Sequence, residues 1–362
     1  MPVVNIGSIK YTVELITETG KPYLLGEALL SLKWEEQISE LAQRATITLA
    51  NTKVDDTWLM NLAKINCLIF IYAEWGENEQ GQTFAGSIAD RGNTVSSNDY
   101  TQPVSSTKKL VFSGIIWEWQ YASATQKEIT LTAYDRMIQL QQSKDFKYFQ
   151  AGMDTKTIIS GICSDWGVTL KYSWNTITHE KKTYSGNTIS DMIFDLLEDV
   201  RKKTGQKYIA YFIDNQLVIC QYGTNRDIYV FDFESTVSTT NKLTINNLVT
   251  RVKIIGKQDK SGRAPVEATI NGDTSFGVLQ EIVRRDSDKK LSDATKEANT
   301  ILEDRGKPEE TITVEAPDLP FLRKGDEVQM GAGNLLGFFF VEGVTHTAET
   351  RMMNMTLSRK YE

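Results

Sequence analysis

The feature that most restricts the fold of this chain is a weak, ordered repeat on either side of a helical middle. Residues 62–70, Leu-Ala-Lys-Ile-Asn-Cys-Leu-Ile-Phe, parallel residues 322–330, Leu-Arg-Lys-Gly-Asp-Glu-Val-Gln-Met. In both, a Leu and a Lys precede a turn-forming residue, Asn66 or Asp326, and an apolar strand pattern follows. An entering strand comes next, at Phe112-Ser-Gly114-Ile-Ile or Phe338-Phe-Phe-Val341, and then a closing strand, at Thr130-Leu131-Thr132 or Thr356-Leu357-Ser358. Two readings are open. Antiparallel barrels share strand–turn patterns by chance, or the chain carries a duplicated β-barrel with an insert between the copies. In the second case a trimer would display six equivalent barrels and could meet a six-fold partner by pseudo-symmetry.

The first third reads as strands. Ala45-Thr46-Ile47-Thr48-Leu49 alternates apolar and polar, the pattern of a half-buried strand. Leu68-Ile69-Phe70-Ile71-Tyr72 is nearly continuous and predicts a more deeply buried one. Residues 112–121 and 128–133 form a further pair around the polar turn 122–126. Trp117 and Trp119, two apart, would share one strand face, in the core or at a subunit interface. Residues 75–109 are rich in Gly, Ser, Thr, Asn and Gln and predict a long exposed loop or extended hairpin, a candidate contact with a partner protein by ordering on binding.

The middle is α+β. Asp154 as N-cap, apolar residues at helical spacing through Trp166, and Gly167 as stop predict one helix. Thr188 with Asp191 is a capping-box pattern, followed by the stripe Ile189, Met192, Ile193, Leu196, Leu197, Val200 and ended by Gly205. A hairpin, 208–213 and 217–220 around Asp214-Asn215, completes the module. The last third returns to strands at 248–255, 311–315, 327–330, 337–345 and 354–358, with one helix near 292–305, N-capped by Ser292. Gly331-Ala-Gly333 reads as a turn between strands.

Composition then removes whole classes of function. Of 362 residues, 47 are acidic and 40 basic, a net charge of -7 without a basic block, which argues against sequence-specific nucleic-acid binding. The two histidines, His179 and His346, are far apart, which weakens any metal or acid–base site built on them. Cys67, Cys163 and Cys220 lack CxxC spacing and read as buried apolar residues of a reducing compartment. The start, MPVVNIGS, shows no secretion signal, and no apolar run reaches the roughly 20 residues of a membrane helix. The expectation is a protein made in the cytoplasm, without a membrane anchor.

Several segments resemble a known family. Ile129-Thr-Leu-Thr-Ala-Tyr-Asp135-Arg-Met-Ile-Gln-Leu140 resembles the "ltayD…L" signature of phage baseplate hub proteins of the XkdQ/YqbQ type. In order follow residues 243–256, similar to the family's strand after the insert, and Ser275-Phe-Gly277-Val-Leu-Gln280, similar to its "yG.lq" segment. Residues 293–302 resemble its Ala-rich helix, and Leu322-Arg-Lys-Gly325-Asp326-Glu-Val328 its "lr.GD.v" turn and strand. The resemblance spans nearly the whole chain.

It implies a mainly β protein: a tube-protein-like antiparallel β-barrel over 1–147, an α+β insert over 148–225 and a second such barrel over 226–362. It further implies a homotrimeric, pseudo-hexameric baseplate hub joining the six-fold tail tube to the three-fold central spike of a phage tail or R-type bacteriocin. Its partners would be the tail tube protein, the central spike protein and inner baseplate or wedge proteins, with the tape measure protein as a further candidate. The particle would assemble in the cytoplasm and leave on lysis, and an acidic lumen would repel nucleic acid.

Rival chemistries find little support. No GxSxG, HExxH or Walker A pattern occurs. A Cys/His hydrolase would have to unite Cys163, on an apolar helix face, with His179, in a polar loop read as solvated. The acidic pairs Glu35-Glu36, Asp55-Asp56 and Glu309-Glu310 read as solvated faces, not as glycosidase carboxylates. Trp166, Tyr172, Trp174 and Tyr184 would be the aromatics of a peptidoglycan-binding module if exposed, and core residues if not. No catalytic, cofactor-binding or metal-binding residue is assigned and no cofactor expected.

Overall fold

A computed structural model describes residues 9–75, 108–122, 127–213, 216–258, 262–285 and 290–360. The expected long loop, 75–109, falls almost wholly outside them, as do the tips of the turns at 122–126 and 214–215. The chain divides into two compact units, residues 1–239 with 313–362 and residues 240–312.

The larger unit begins with β1 (Ile9–Ile16), β2 (Pro22–Leu24), β3 (Leu29–Gln37) and β4 (Arg44–Ala50). A small hairpin, β5 (Lys53–Val54) and β6 (Thr57–Trp58), and the single turn α1 (Leu59–Leu62) lead to β7 (Leu68–Trp75). Then come β8 (Lys109–Ala122) and β9 (Glu128–Tyr134). β4 alternates strictly between buried Ala45, Ile47, Leu49 and half-buried neighbours, as its residue pattern requires. In β7 only Ile69, Ile71 and Ala73 are fully buried. The deep burial expected of residues 68–72 is corrected: β7 pairs antiparallel with β1 and β8, its side chains alternate, and one face only meets the core. Val13, Leu32, Trp34, Ile47, Ile69, Phe112 and Leu131 belong to the core beneath it.

The α+β region has a core of its own. After α2 (Ile138–Gln142), β10 (Lys144–Phe149) pairs with β12 (Lys182–Thr188), and β11 (Thr169–Tyr172), β13 (Tyr208–Ile213) and β14 (Gln216–Gln221) form a separate sheet. The two helices predicted from sequence, α3 (Thr155–Asp165) and α4 (Ile189–Thr204), pack their apolar faces between them. Asp154 accepts from the Thr157 amide, Thr188 and Asp191 form the reciprocal capping box, and Gly205 ends α4 in the left-handed conformation.

The chain returns to the large sheet through β15 (Tyr229–Asp232) and enters the smaller unit within β16 (Ser238–Thr244). There β17 (Arg251–Ile255) lies between β18 (Val266–Asn271) and β19 (Gln280–Arg284), beneath α5 (Leu291–Arg305). Ala294 and Ala298 of α5 meet Val252, Ile254 and Val283, a close contact that small side chains permit. Ser292 is not the N-cap: Lys290 holds that position without a side-chain bond, so the helix starts two residues before the point a cap at Ser292 would set. The segment similar to "yG.lq" is clamped by buried Thr250. Its hydroxyl donates to the Gly277 carbonyl at 2.8 Å and accepts from the Leu279 amide at 2.8 Å.

The strands β20 (Glu309–Pro317), β21 (Glu327–Ala332), β22 (Leu335–Thr347) and β23 (Met352–Arg359) complete the large sheet. Its path is β16-β20-β23-β22-β3-β4-β9-β8-β7-β1-β2, with β21 on β22 and β15 on β21. The turn between β21 and β22 is Gly333-Asn334, while Gly331 and Ala332 lie within β21. The fold is mainly β, as the sequence predicts.

Candidate functional site

The strand path contains the same order twice. β3-β4-β9-β8-β7 is matched by β16-β20-β23-β22-β21, each set taken up in the same sequence order. Hydrogen bonds make the match residue by residue. Asn66, at φ 72°, donates to the Ile116 carbonyl and the Ile116 amide returns to Cys67, both at 2.9 Å. Gly325, at φ 85°, donates to the Val341 carbonyl at 2.7 Å, and the Val341 amide returns to Asp326 at 2.9 Å. One residue further on, both long strands slip register against their closing strand, between Ile116 and Glu118 and between Val341 and Gly343. A bulge at one place in two copies is a feature of design, since it sets strand curvature.

The match also refines the repeat read from sequence. Asn66 corresponds to Gly325 rather than Asp326, and Thr132 to Thr356, because the left-handed turn and the bulge fix the register. The bulge likewise separates the paired tryptophans. Trp117 is exposed, while Trp119 packs on the core and stacks on Tyr121.

The copies join where β22 accepts β3, antiparallel, from Gly343 opposite Gln37 to Thr347 opposite Lys33. Here the "lr.GD.v" turn becomes a buried ionic knot. Arg323 donates to both carboxylate oxygens of Glu36 and lies over the Tyr211 ring at 4.6 Å. The Lys324 amide reaches Glu36 at 3.3 Å, and its Nζ reaches the carbonyls of Gln37 and Glu40. Asp326 caps the Arg323 amide at 2.9 Å. Asp135, of the "ltayD" segment, accepts from the amides of Gln43 and Met137. One turn thus ties β3, the α+β region and the second copy together.

Electrostatics follow from this burial. Burial alone would raise Glu36, but the Arg323 charge and hydrogen bonds, aided by Lys324, hold it below the usual carboxylate range. Asp135 and Asp326, buried and without a bidentate cation, are pushed up to about 7, and burial draws Lys324 down to about 8. The reading of Glu35-Glu36 as a solvated face is corrected for Glu36, which is 3 % exposed. A signal was present: Leu32, Trp34 and Glu36 alternate along one face of β3, so a strand that buries the first two buries the third. Beside the knot lies a cavity of about 260 Å³ lined by Trp34, Glu36, Asp135, Arg323 and His346 among others.

Both histidines are buried and partnered, so the solvated His179 is also corrected. His179 Nε2 lies 2.8 Å from Thr155 Oγ1, and Nδ1 lies 3.1 Å from Asp199. This resembles a nucleophile–His–Asp relay, but Thr155 is fully buried, donates to the Ile177 carbonyl and accepts from the Ile177 amide. The trio fastens the start of α3 to the loop before β12. His346 bonds Asp318 at 2.6 Å and stacks on Trp34 at 4.7 Å, and Tyr11 donates to the other oxygen of Asp318. Cys163 is buried in the helical core, where burial pushes its thiol up to about 12. Cys67 is buried too, whereas Cys220 is only partly so. Of the candidate wall-binding aromatics, Tyr172 and Tyr184 are buried and Trp166 and Trp174 pack against the same core. Asp55-Asp56 is an exposed turn, and Glu309 and Glu310 bond Asn247 and Asn241.

Comparison with known proteins agrees with this architecture. The profile of the YQBQ-like family matches residues 78–360. The tail protein from Neisseria meningitidis MC58 aligns over 97 % of each chain at 12 % identity, with a TM-score of 0.63. The 43 kDa tail protein of prophage MuSo2 from Shewanella oneidensis aligns over 97 % of this chain and 98 % of its own, at 10 % identity and a TM-score of 0.64. Prophage tail protein gp18 from Listeria monocytogenes EGD-e aligns over 96 % and 94 %, at 12 % identity and a TM-score of 0.53. No curated protein sequence matches the chain. The chain therefore belongs to the YQBQ-like family and shares its fold with prophage tail proteins.

Proposed function

We propose that the protein is a non-catalytic baseplate hub, a homotrimer whose three chains present six copies of one β meander. Six similar surfaces carried on a three-fold body would connect the six-fold tail tube to the three-fold central spike of a contractile particle. The two copies would be tube-like barrels within 1–147 and 226–362, with residues 148–225 as the insert between them. The tail tube protein, the central spike protein and inner baseplate or wedge proteins are its partners, with the tape measure protein as a further candidate. The particle is assembled in the cytoplasm and released on lysis.

The observation that carries this reading is the repeated strand order with its shared left-handed turn and shared bulge. A chain needs two alike modules to turn three-fold symmetry into approximate six-fold symmetry. The burial of Cys163, His179, Tyr172 and Tyr184, and the packing of Trp166 and Trp174 on the same core, support assembly over hydrolysis or wall binding. Sedimentation of the protein, and negative-stain images of it with the tube and spike proteins encoded beside it, test the reading. A trimeric ring in the assembled tail is expected; a stable monomer that never enters tail particles refutes the proposal. On peptidoglycan gels no clearing is expected, and clearing abolished by a single substitution would refute its non-catalytic part.

A further inference from the structure

In the second copy, β22 uses one edge twice: residues 335–340 pair with β21, and beyond them residues 343–347 receive β3 of the first copy. In the first copy, β8 pairs with β7 only up to Ile115. Beyond it, residues 117–122 have β9 on one side and, among the described residues, no strand on the other. The counterpart of β3 in the second copy is β16, which ends the strand path, with no strand among the described residues on its outer edge. Each chain therefore has one such junction filled and the two halves of another unfilled.

The side chains differ accordingly. Lys324 and Glu327, at the filled junction, are 3 % and 1 % exposed. Their counterparts in the first copy are apolar and open: Ile65 is 58 % and Leu68 39 % exposed, with Trp117 beside them at 42 %. Along and around β16, Val237, Leu243 and Ile245 are exposed as well. Two buried side-chain atoms lack a partner among the described residues, and they lie on these two strands: the Trp119 Nε1 donor on β8 and the Asn241 Oδ1 acceptor on β16.

We propose that the open edge of β8, residues 117–122, receives β16 of a second copy of this chain, antiparallel, as β22 receives β3 within one chain. Edge pairing supplies main-chain hydrogen bonds, and burial of Ile65, Leu68 and Trp117 supplies the apolar part of the contact. Because one partner strand comes from each copy, the contact is head-to-tail, and it closes into the ring proposed above when each step turns by a third of a revolution. The proposal rests on the ring proposed above, to which it assigns the subunit contact.

Cysteine cross-linking under mild oxidation tests it on the full-length protein. Gln120→Cys is combined in turn with Thr240→Cys, Asn241→Cys or Lys242→Cys, and with Leu24→Cys on the exposed far-end strand β2 as control. The same samples are sedimented under reducing conditions, alone and with the tube protein. Rings together with a disulfide ladder ending at trimer for at least one β16 position, and none for the control, are the expected result. Rings without any β16 ladder, or with a ladder from the control, overturn the edge assignment and leave the ring standing. Monomers in every sample, without cross-links, overturn the ring and the edge together.

Discussion

The two turns that open the paired meanders share a backbone and differ in chemistry. At residues 64–67 the side chains of Lys64, Ile65 and Asn66 face solvent, whereas at 323–326 the equivalent positions hold a buried ionic knot. The hydrogen-bonded frame is the same, so local backbone geometry does not account for the difference. What differs is the neighbour: β3 and the α+β region cover the second turn, and nothing described covers the first. The comparison teaches that a motif repeated for its shape acquires its charge from whatever packs against it.

The largest expected effect breaks the knot. Arg323→Ala leaves Glu36 buried and uncompensated and should cost about 3–5 kcal/mol in urea unfolding. Lys64→Ala, the equivalent change in the first turn, should stay within about 0.5 kcal/mol. A loss from Arg323→Ala no larger than that would mean that the knot carries no stability.

Stability should also follow pH through the buried groups gathered around the second turn. Asp135 and Asp326 rise from 3.8 to about 7 on folding, so the folded state holds protons more tightly and stability falls as pH climbs through that window. Lys324 falls from 10.5 to about 8, so the folded state loses its proton first and stability recovers between those values. A minimum between about pH 7 and 8 is expected, with a change on the order of 4 kcal/mol per carboxyl across the acid limb. Asp135→Asn should flatten that limb, and an unchanged slope would remove Asp135 from the account.

Smaller effects probe the backbone. At Gly325 a Cβ would meet Ile209 Cγ2 at 2.9 Å, and φ is positive, so Gly325→Ala should cost about 2 kcal/mol. Asn66→Ala, with the same φ sign but an exposed side chain, should cost about 1 kcal/mol. Equal losses would show that the contact with Ile209 matters little. Smallest of all, Ile65→Ser should change monomer stability by less than about 0.5 kcal/mol while weakening self-association measured by sedimentation. Unaltered association would place the subunit contact elsewhere.

Much of this was legible in the chain because it depends on near neighbours. Asp154, the Thr188–Asp191 box and Gly205 bound their helices as read, since caps and left-handed stops act over a few residues. The repeat was visible but one or two positions out, because only hydrogen bonds across strands place Asn66 on Gly325 and reveal the bulge after Ile116. β3 escaped notice, although it links the two copies, since its face mixes Leu32 and Trp34 with Glu36.

By itself, the sequence determined the β-rich class, the helices of the middle and the presence of two related segments, for hydrophobic period and turn chemistry are local properties. Tertiary structure alone decided which carboxylates are buried, which histidines are partnered and which strand edge stays open. Those depend on partners hundreds of residues away, as Glu36 and Arg323 are, and burial is a property of the pair and its surroundings rather than of either residue.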